Sequence, residues 1–119
     1  MARLLLTLPI LFLLTLAPAN AAELIMFEQQ GCSWCEQWDE DIGVVYFKTT
    51  EGKRAPLRRV DIHGKIPDDL KEIRSGRFTP TFVLVEDGKE VGRIRGYPGE
   101  SFFWGLLNQM LAKLPQKTG

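Results

Sequence analysis

A tetrahedral zinc site needs four nitrogen or sulfur ligands, and this chain of 119 residues has only two cysteines and one histidine, His63. It also lacks net charge. Fifteen basic side chains balance fifteen acidic ones, which removes the electrostatic case for nucleic acid or an anionic membrane surface as partner. No apolar run reaches the ~20 residues that span a bilayer. The longest, Leu4 to Leu16, is interrupted by Thr7, Pro9 and Thr15. Internal repeats and low-complexity segments are absent as well.

That apolar run stands in an informative setting. Met1-Ala2-Arg3 places one positive charge before it, and Ala17-Pro18-Ala19-Asn20-Ala21 follows with a small-x-small ending. This is the layout of a secretory signal peptide, expected over residues 1–21 with cleavage after Ala21. No cysteine lies at that point, so a lipoprotein is not indicated. Residues 22–119 are then one small domain, large enough to close a core. It would work outside the cytoplasm, where thiols tend to be oxidised.

Along residues 22–119, Glu23 to Glu28 is an apolar run of strand length, apolar on both faces at its centre, as a central strand requires. Gly31 breaks it, and Cys32 to Asp39 is expected to wind into a helix that brings Cys35 and Trp38 or Asp39 to Cys32's side. Residues 42–55 are ambiguous: Val44 to Phe47 fits strand or helix, and Thr49 to Gly52 fits a turn or a short helix. Leu57 to Ile62 reads as a second strand. Pro67 to Ile73 begins with proline and two acids, as the first turn of a helix prefers, and Gly76 follows it. Thr81 to Val85 is a β-branched and aromatic strand, joined through the Asp87-Gly88 pair of a type I′ hairpin to an edge strand at Glu90 to Arg95. Phe103, Leu106, Leu107, Met110 and Leu114 then mark one apolar face of a closing helix. The end from Pro115 is expected to fray. This order describes an α/β sandwich around a mixed sheet.

The two cysteines, Cys32 and Cys35, are three positions apart and admit three uses. A disulfide closing so short a loop adds less than the ~2–4 kcal/mol typical of long loops. Two thiolates with His63 or Met26 would suit Cu(I). A redox couple has a specific mechanism. At a strand-to-helix junction the first thiol meets free backbone N–H groups and the positive end of the helix dipole, which stabilise its thiolate. Cys35, one turn on, can resolve a mixed disulfide. A C-x-x-C near a βαβ pattern favours this last use.

A second motif strengthens it. Arg77-Phe78-Thr79-Pro80-Thr81-Phe82 puts proline at the head of a strand, where it removes a ladder donor. With the cysteine pair after an apolar strand and Gly96 after the hairpin, the sequence resembles the thioredoxin superfamily from Leu24 to about Leu114. The extra N-terminal strand and helix of full thioredoxin are missing, so the resemblance implies a minimal, glutaredoxin-sized thioredoxin-like fold with helices on both faces of its sheet. It implies a cis Thr79–Pro80 bond beside Cys32, with Thr79's backbone offered to an extended substrate. Cys32 and Cys35 are the implied catalytic residues, Cys32 as nucleophile. Trp34, Thr79, Pro80, Gly96 and Tyr97 are the implied substrate-binding residues. No cofactor beyond the Cys32–Cys35 disulfide and no metal is implied. Where the family has a buried acid six residues before the nucleophile, this chain has Met26. By the alternation, Glu28 is expected to point elsewhere, leaving no carboxylate for Cys35. Trp38, Phe102, Phe103 and Trp104 are expected in the core, and His63 in a solvated loop.

The direction of electron flow follows from charge. Glu28, Glu36, Asp39, Glu40 and Asp41 crowd the pair in sequence with no Lys or Arg before Lys48, and no histidine lies between the cysteines. Acids at this range raise a thiol's pKa and favour the disulfide, so the dithiol would give electrons readily. "MFEQQGCSWCEQW", "APLRRVDI" and "TPTFVLVEDGKEVGRIRGYPGESFFW" resemble small periplasmic thioredoxin-like proteins of bacterial sulfur-oxidation systems. That resemblance implies a monomer reducing protein disulfides or sulfur adducts, including those of a sulfur-carrier protein. A membrane electron donor would recharge it. A Cu(I) metallochaperone and a non-catalytic adaptor remain as alternatives.

Overall fold

A strand that is apolar on both faces is stable only where both are covered, and the first strand sits there. In the computed structural model, which describes residues 2–5, 9–11 and 22–115, β1 (Ala22–Glu28) is an inner strand of a four-stranded sheet. It pairs in parallel with β2 (Leu57–Asp61) and antiparallel with β3 (Thr81–Glu86), and β4 (Lys89–Arg95) closes the order β2-β1-β3-β4. Leu24 and Met26 face one side of the sheet, Ile25 and Phe27 the other, all fully buried. The hairpin is of the expected kind: Asp87 and Gly88 both have positive φ, 49° and 76°, as a type I′ turn requires. Most of the expected signal peptide lies outside the described residues, as does the tail beyond Pro115.

Three helices cover the first face: α1 (Ser33–Trp38), α2 (Thr50–Arg54) and α3 (Glu100–Leu111). Trp38, Phe82 and Phe103 meet at its centre with ring centroids 4.9–5.7 Å apart, each fully buried ring contributing about 1.5–3 kcal/mol. Within the ambiguous stretch, Val44 to Phe47 proves to be neither strand nor α-helix, whereas Thr49 to Gly52 opens the short helix α2. After α1 the chain widens into a π-type turn at Asp39–Gly43, then a 3₁₀ turn at Tyr46–Lys48. Buried Tyr46 fastens it by donating its hydroxyl to the Ala55 carbonyl at 2.6 Å. Thr49 caps α2 by accepting the Gly52 N–H at 2.9 Å.

Two expectations need correction. Pro67 to Ile73 makes a single 3₁₀ turn at Asp68–Leu70, with Leu70 bonded to Pro67 and Ile73 to Leu70 three residues back. Only Leu70 and Ile73 bury, against Ile25, Phe27, Val60 and Val83. Two anchors three apart suit 3₁₀ spacing and give an α-helix no stripe to bury. The second face is therefore covered by a loop with one helical turn. On α3 the buried stripe is Phe103, Leu107, Met110 and Leu111, with Leu114 beyond it. Leu106 and Phe102 are exposed because they lie a quarter turn or more from that stripe's centre. Trp104 is half-buried and stacks on Tyr46.

Candidate active site

The chain leaves β1 at Glu28, turns through Gly31 with φ 73°, and arrives extended at Cys32, the N-cap of α1. Cys32 Sγ accepts the Cys35 N–H at 3.1 Å, and the two cysteines are joined as a disulfide with their Cα atoms 5.2 Å apart. Both are buried, Cys35 the more so at 4% exposure against 8%. They form part of the same apolar cluster as Met26, Trp38 and Phe82. Met26 is wholly buried and offers Cys35 no proton acceptor.

Register brings the second motif alongside. Phe27 on β1 pairs with Thr81 on β3, so the segment entering β3 lies beside the segment leaving β1. The Thr79–Pro80 bond is cis. Gly96 donates its N–H to the Pro80 carbonyl at 2.7 Å, and its φ of 79° explains glycine there. Gln29, in the loop before Cys32, donates its amide to Thr79 Oγ1 at 2.8 Å. The same amide's oxygen faces His63 Nε2 at 2.8 Å. One glutamine thus ties together the loops that follow β1, follow β2 and precede β3. No sequence signal singled it out, because its partners lie 34 and 50 residues away.

Of the other sequence-derived site residues, Trp34 is exposed at 61% on the outer side of α1. Phe78, which is not among them, is exposed at 75% beside the cis bond. Pro80 is buried and Thr79 half-buried. Tyr97 is not an open groove residue. It is buried, donates its hydroxyl to Asp41 Oδ2 at 2.7 Å and sets its ring edge-on to Phe103. Burial, with the Asp41 carboxylate, pushes its phenol well above the ordinary range.

The charges around the pair differ most from expectation. A cavity of about 290 Å³ beside the disulfide is lined by Cys32 and Cys35 together with Glu28, Glu36, Asp39 and Asp61. Glu28 does not point elsewhere: it has the same parity on β1 as Met26 and therefore the same face. A cation is also present, supplied from β2. Arg59 donates to Glu28 Oε2 at 2.8 Å and to Asp39 Oδ1 at 2.5 Å, and its guanidinium lies 5.9 Å from the Trp38 ring centre. The hydrogen bond to Asp39 holds the Arg59 guanidinium above its ordinary range despite partial burial. Two of the five acids that crowd the pair in sequence are therefore paired, and a third, Asp41, accepts from Tyr97 and Gln37. Glu36 and Glu40 remain exposed without a salt bridge among the described residues. Among those residues, no cluster of three His, Cys, Asp or Glu is placed to hold a metal ion.

No protein-family model and no curated protein sequence matches this chain. Solved structures do. The chain is 44% identical to the periplasmic thioredoxin SoxS from Paracoccus pantotrophus in its reduced form, with a TM-score of 0.72 over 76% of this chain and 96% of that one. A thioredoxin-fold protein from Helicobacter pylori, 24% identical, superposes with a TM-score of 0.60 over 82% and 73% of the two chains. Fasciola hepatica thioredoxin, 23% identical, gives 0.58 over 76% and 82%. The last two show likeness of fold.

Proposed function

The chain belongs to the thioredoxin superfamily and is a thiol-disulfide oxidoreductase, and from that premise we propose that it reduces disulfides or sulfur adducts on partner-protein cysteines in the periplasm. Cys32 is the nucleophile and Cys35 the resolving thiol. The observation that carries this assignment is the position of Cys32 as N-cap of α1, where its sulfur already accepts the Cys35 N–H. Such a donor stabilises a thiolate. Thr79, Pro80 and Gly96 form the ledge on which an extended substrate segment pairs, with Trp34 as an exposed contact and Tyr97 bracing the ledge from below.

Periplasmic action is supported by the likeness to a periplasmic thioredoxin and by the signal-peptide pattern over residues 1–21, which leaves 22–119 as the working domain. A reducing role is supported by the absence of a histidine between the cysteines and by the engagement of Arg59, the cation that stands among the acids at the pair, with Glu28 and Asp39. In that role the protein acts as a monomer, is recharged by a membrane electron donor, and serves a sulfur-carrier protein of sulfur oxidation. The test is turnover of a disulfide-bonded protein substrate with excess dithiol. Cys32→Ser is expected to abolish turnover, and Cys35→Ser to trap a mixed disulfide with the substrate. Full turnover by Cys32→Ser would overturn the proposal.

A further inference from the structure

Resolution of a mixed disulfide requires Cys35 to give up a proton in a place where it is 4% exposed. An unperturbed thiol has a pKa of about 8.5, and burial disfavours its ionised form. Met26, at the facing strand position, has no group to receive that proton. Two residues further along the same strand face stands Glu28, which lines the cavity that Cys35 also lines.

Four carboxylates border that cavity: Glu36 and Asp61 are exposed, and Glu28 and Asp39, which share Arg59, are not equivalent. Arg59 reaches both Asp39 oxygens, Oδ1 at 2.5 Å and Oδ2 at 3.4 Å. It reaches only Oε2 of Glu28, at 2.8 Å. Among the described residues no side-chain hydrogen bond involves Glu28 Oε1. The two carboxylates and Arg59 together carry one net negative charge, and a proton on Glu28 brings the group to neutrality. Asp39 anchors the guanidinium, and the guanidinium orients Glu28. The cavity, about 290 Å³ and bordered by these carboxylates, has room for several waters at roughly 30 Å³ each.

Resting on the assignment of Cys32 and Cys35 above, we propose that Glu28, oriented by Arg59, is the proton relay for Cys35. With substrate joined to Cys32, the Cys35 thiol passes its proton through cavity water to Glu28 Oε1. The Cys35 thiolate attacks Cys32 Sγ and forms the Cys32–Cys35 bond. The bond between Cys32 and the substrate sulfur breaks, its electron pair leaves on that sulfur, and solvent protonates it. The protein dithiol is oxidised by two electrons, the substrate disulfide is reduced, and Glu28 later releases its proton to solvent.

The test is rapid mixing of the reduced protein with a disulfide-bonded peptide, with acid-quenched fractions separating Cys32 attack from Cys35 resolution. Glu28→Gln keeps an oxygen for Arg59 and loses only the titrating group. It is expected to slow resolution by about 10²-fold, the scale of a general base, to let the mixed disulfide accumulate, and to leave Cys32 attack unchanged. The deficit should shrink as the pH rises and the Cys35 thiol ionises without a base, and Glu28→Asp should keep most of the rate. Wild-type resolution in Glu28→Gln, or equal slowing of both steps at every pH, would overturn the relay. Cys32→Ser run alongside separates the two claims. If it is inactive while Glu28→Gln resolves normally, the relay fails and the cysteine assignment stands. If it turns over, both fall.

Discussion

Replacing Arg59 by alanine removes one side chain that makes three contacts at once. Its salt bridges to Glu28 and Asp39 join side chains that are 28–40% exposed. At that exposure each is worth about 0.2–1 kcal/mol. The guanidinium over Trp38 adds about 0.5–1 kcal/mol. Arg59→Ala should therefore cost about 1–3 kcal/mol, which for a domain of this size lowers Tm by roughly 5–15 °C. The ionic part should shrink at about 1 M salt, where the Debye length is about 3 Å; the contact with Trp38 should persist. Arg59→Lys keeps the charge but not the fork that reaches both carboxylates, so it should recover less than half of the loss. Urea unfolding of the oxidised protein at low and high salt measures all three. A loss below about 0.3 kcal/mol, or one that salt does not reduce, would refute the assignment of Arg59 as the clamp of this site.

Further expectations rest on other contacts. The Arg93 side chain hydrogen-bonds Glu90 and holds its carboxyl below the ordinary 4.5. That stabilisation is present above 4.5 and is lost as the pH falls through the depressed folded-state value. With the pair partly exposed it amounts to about 0.5 kcal/mol, so Glu90→Gln should flatten that share of the acid limb in urea titrations run from about pH 3 to pH 7. A Cβ on Gly52 would lie 1.9 Å from the Tyr46 carbonyl oxygen, whereas one on Gly92 would lie 2.7 Å from the end of the Met110 side chain. Gly52→Ala should prevent folding or cost more than about 3 kcal/mol, and Gly92→Ala should cost about 1–3 kcal/mol as the methionine shifts; thermal melts of the two variants check the order. Gln29→Ala removes the tie between the loops at Cys32 and Thr79, and steady-state assays with a protein disulfide should show KM raised several-fold with a smaller change in kcat.

The parts of the fold that were legible in the sequence are those whose signals are local. Leu24 to Phe27, apolar on both faces, announces an inner strand; Asp87-Gly88 announces its hairpin; and Cys32 with Thr79-Pro80 announces the site. The parts that were not legible depend on what a residue meets across the sheet. Arg59 is 31 residues from Glu28 and 20 from Asp39, so the pair's surroundings read as wholly acidic when a cation stands among them. Glu28 is legible in principle, since strand alternation puts it on the same face as Met26. Pro67 to Ile73 carries the start signals of a helix but too few apolar positions to hold one. Tyr97 reads as a groove residue until Asp41, 56 residues away, is seen to hold its hydroxyl.

The reduction potential of the Cys32–Cys35 couple, measured by equilibration with a thiol–disulfide buffer, tests the proposed direction of electron flow most directly. A value near thioredoxin's, about −270 mV, is expected of a protein that gives electrons to partner cysteines, and a value near −120 mV, that of a strong oxidant, would contradict it.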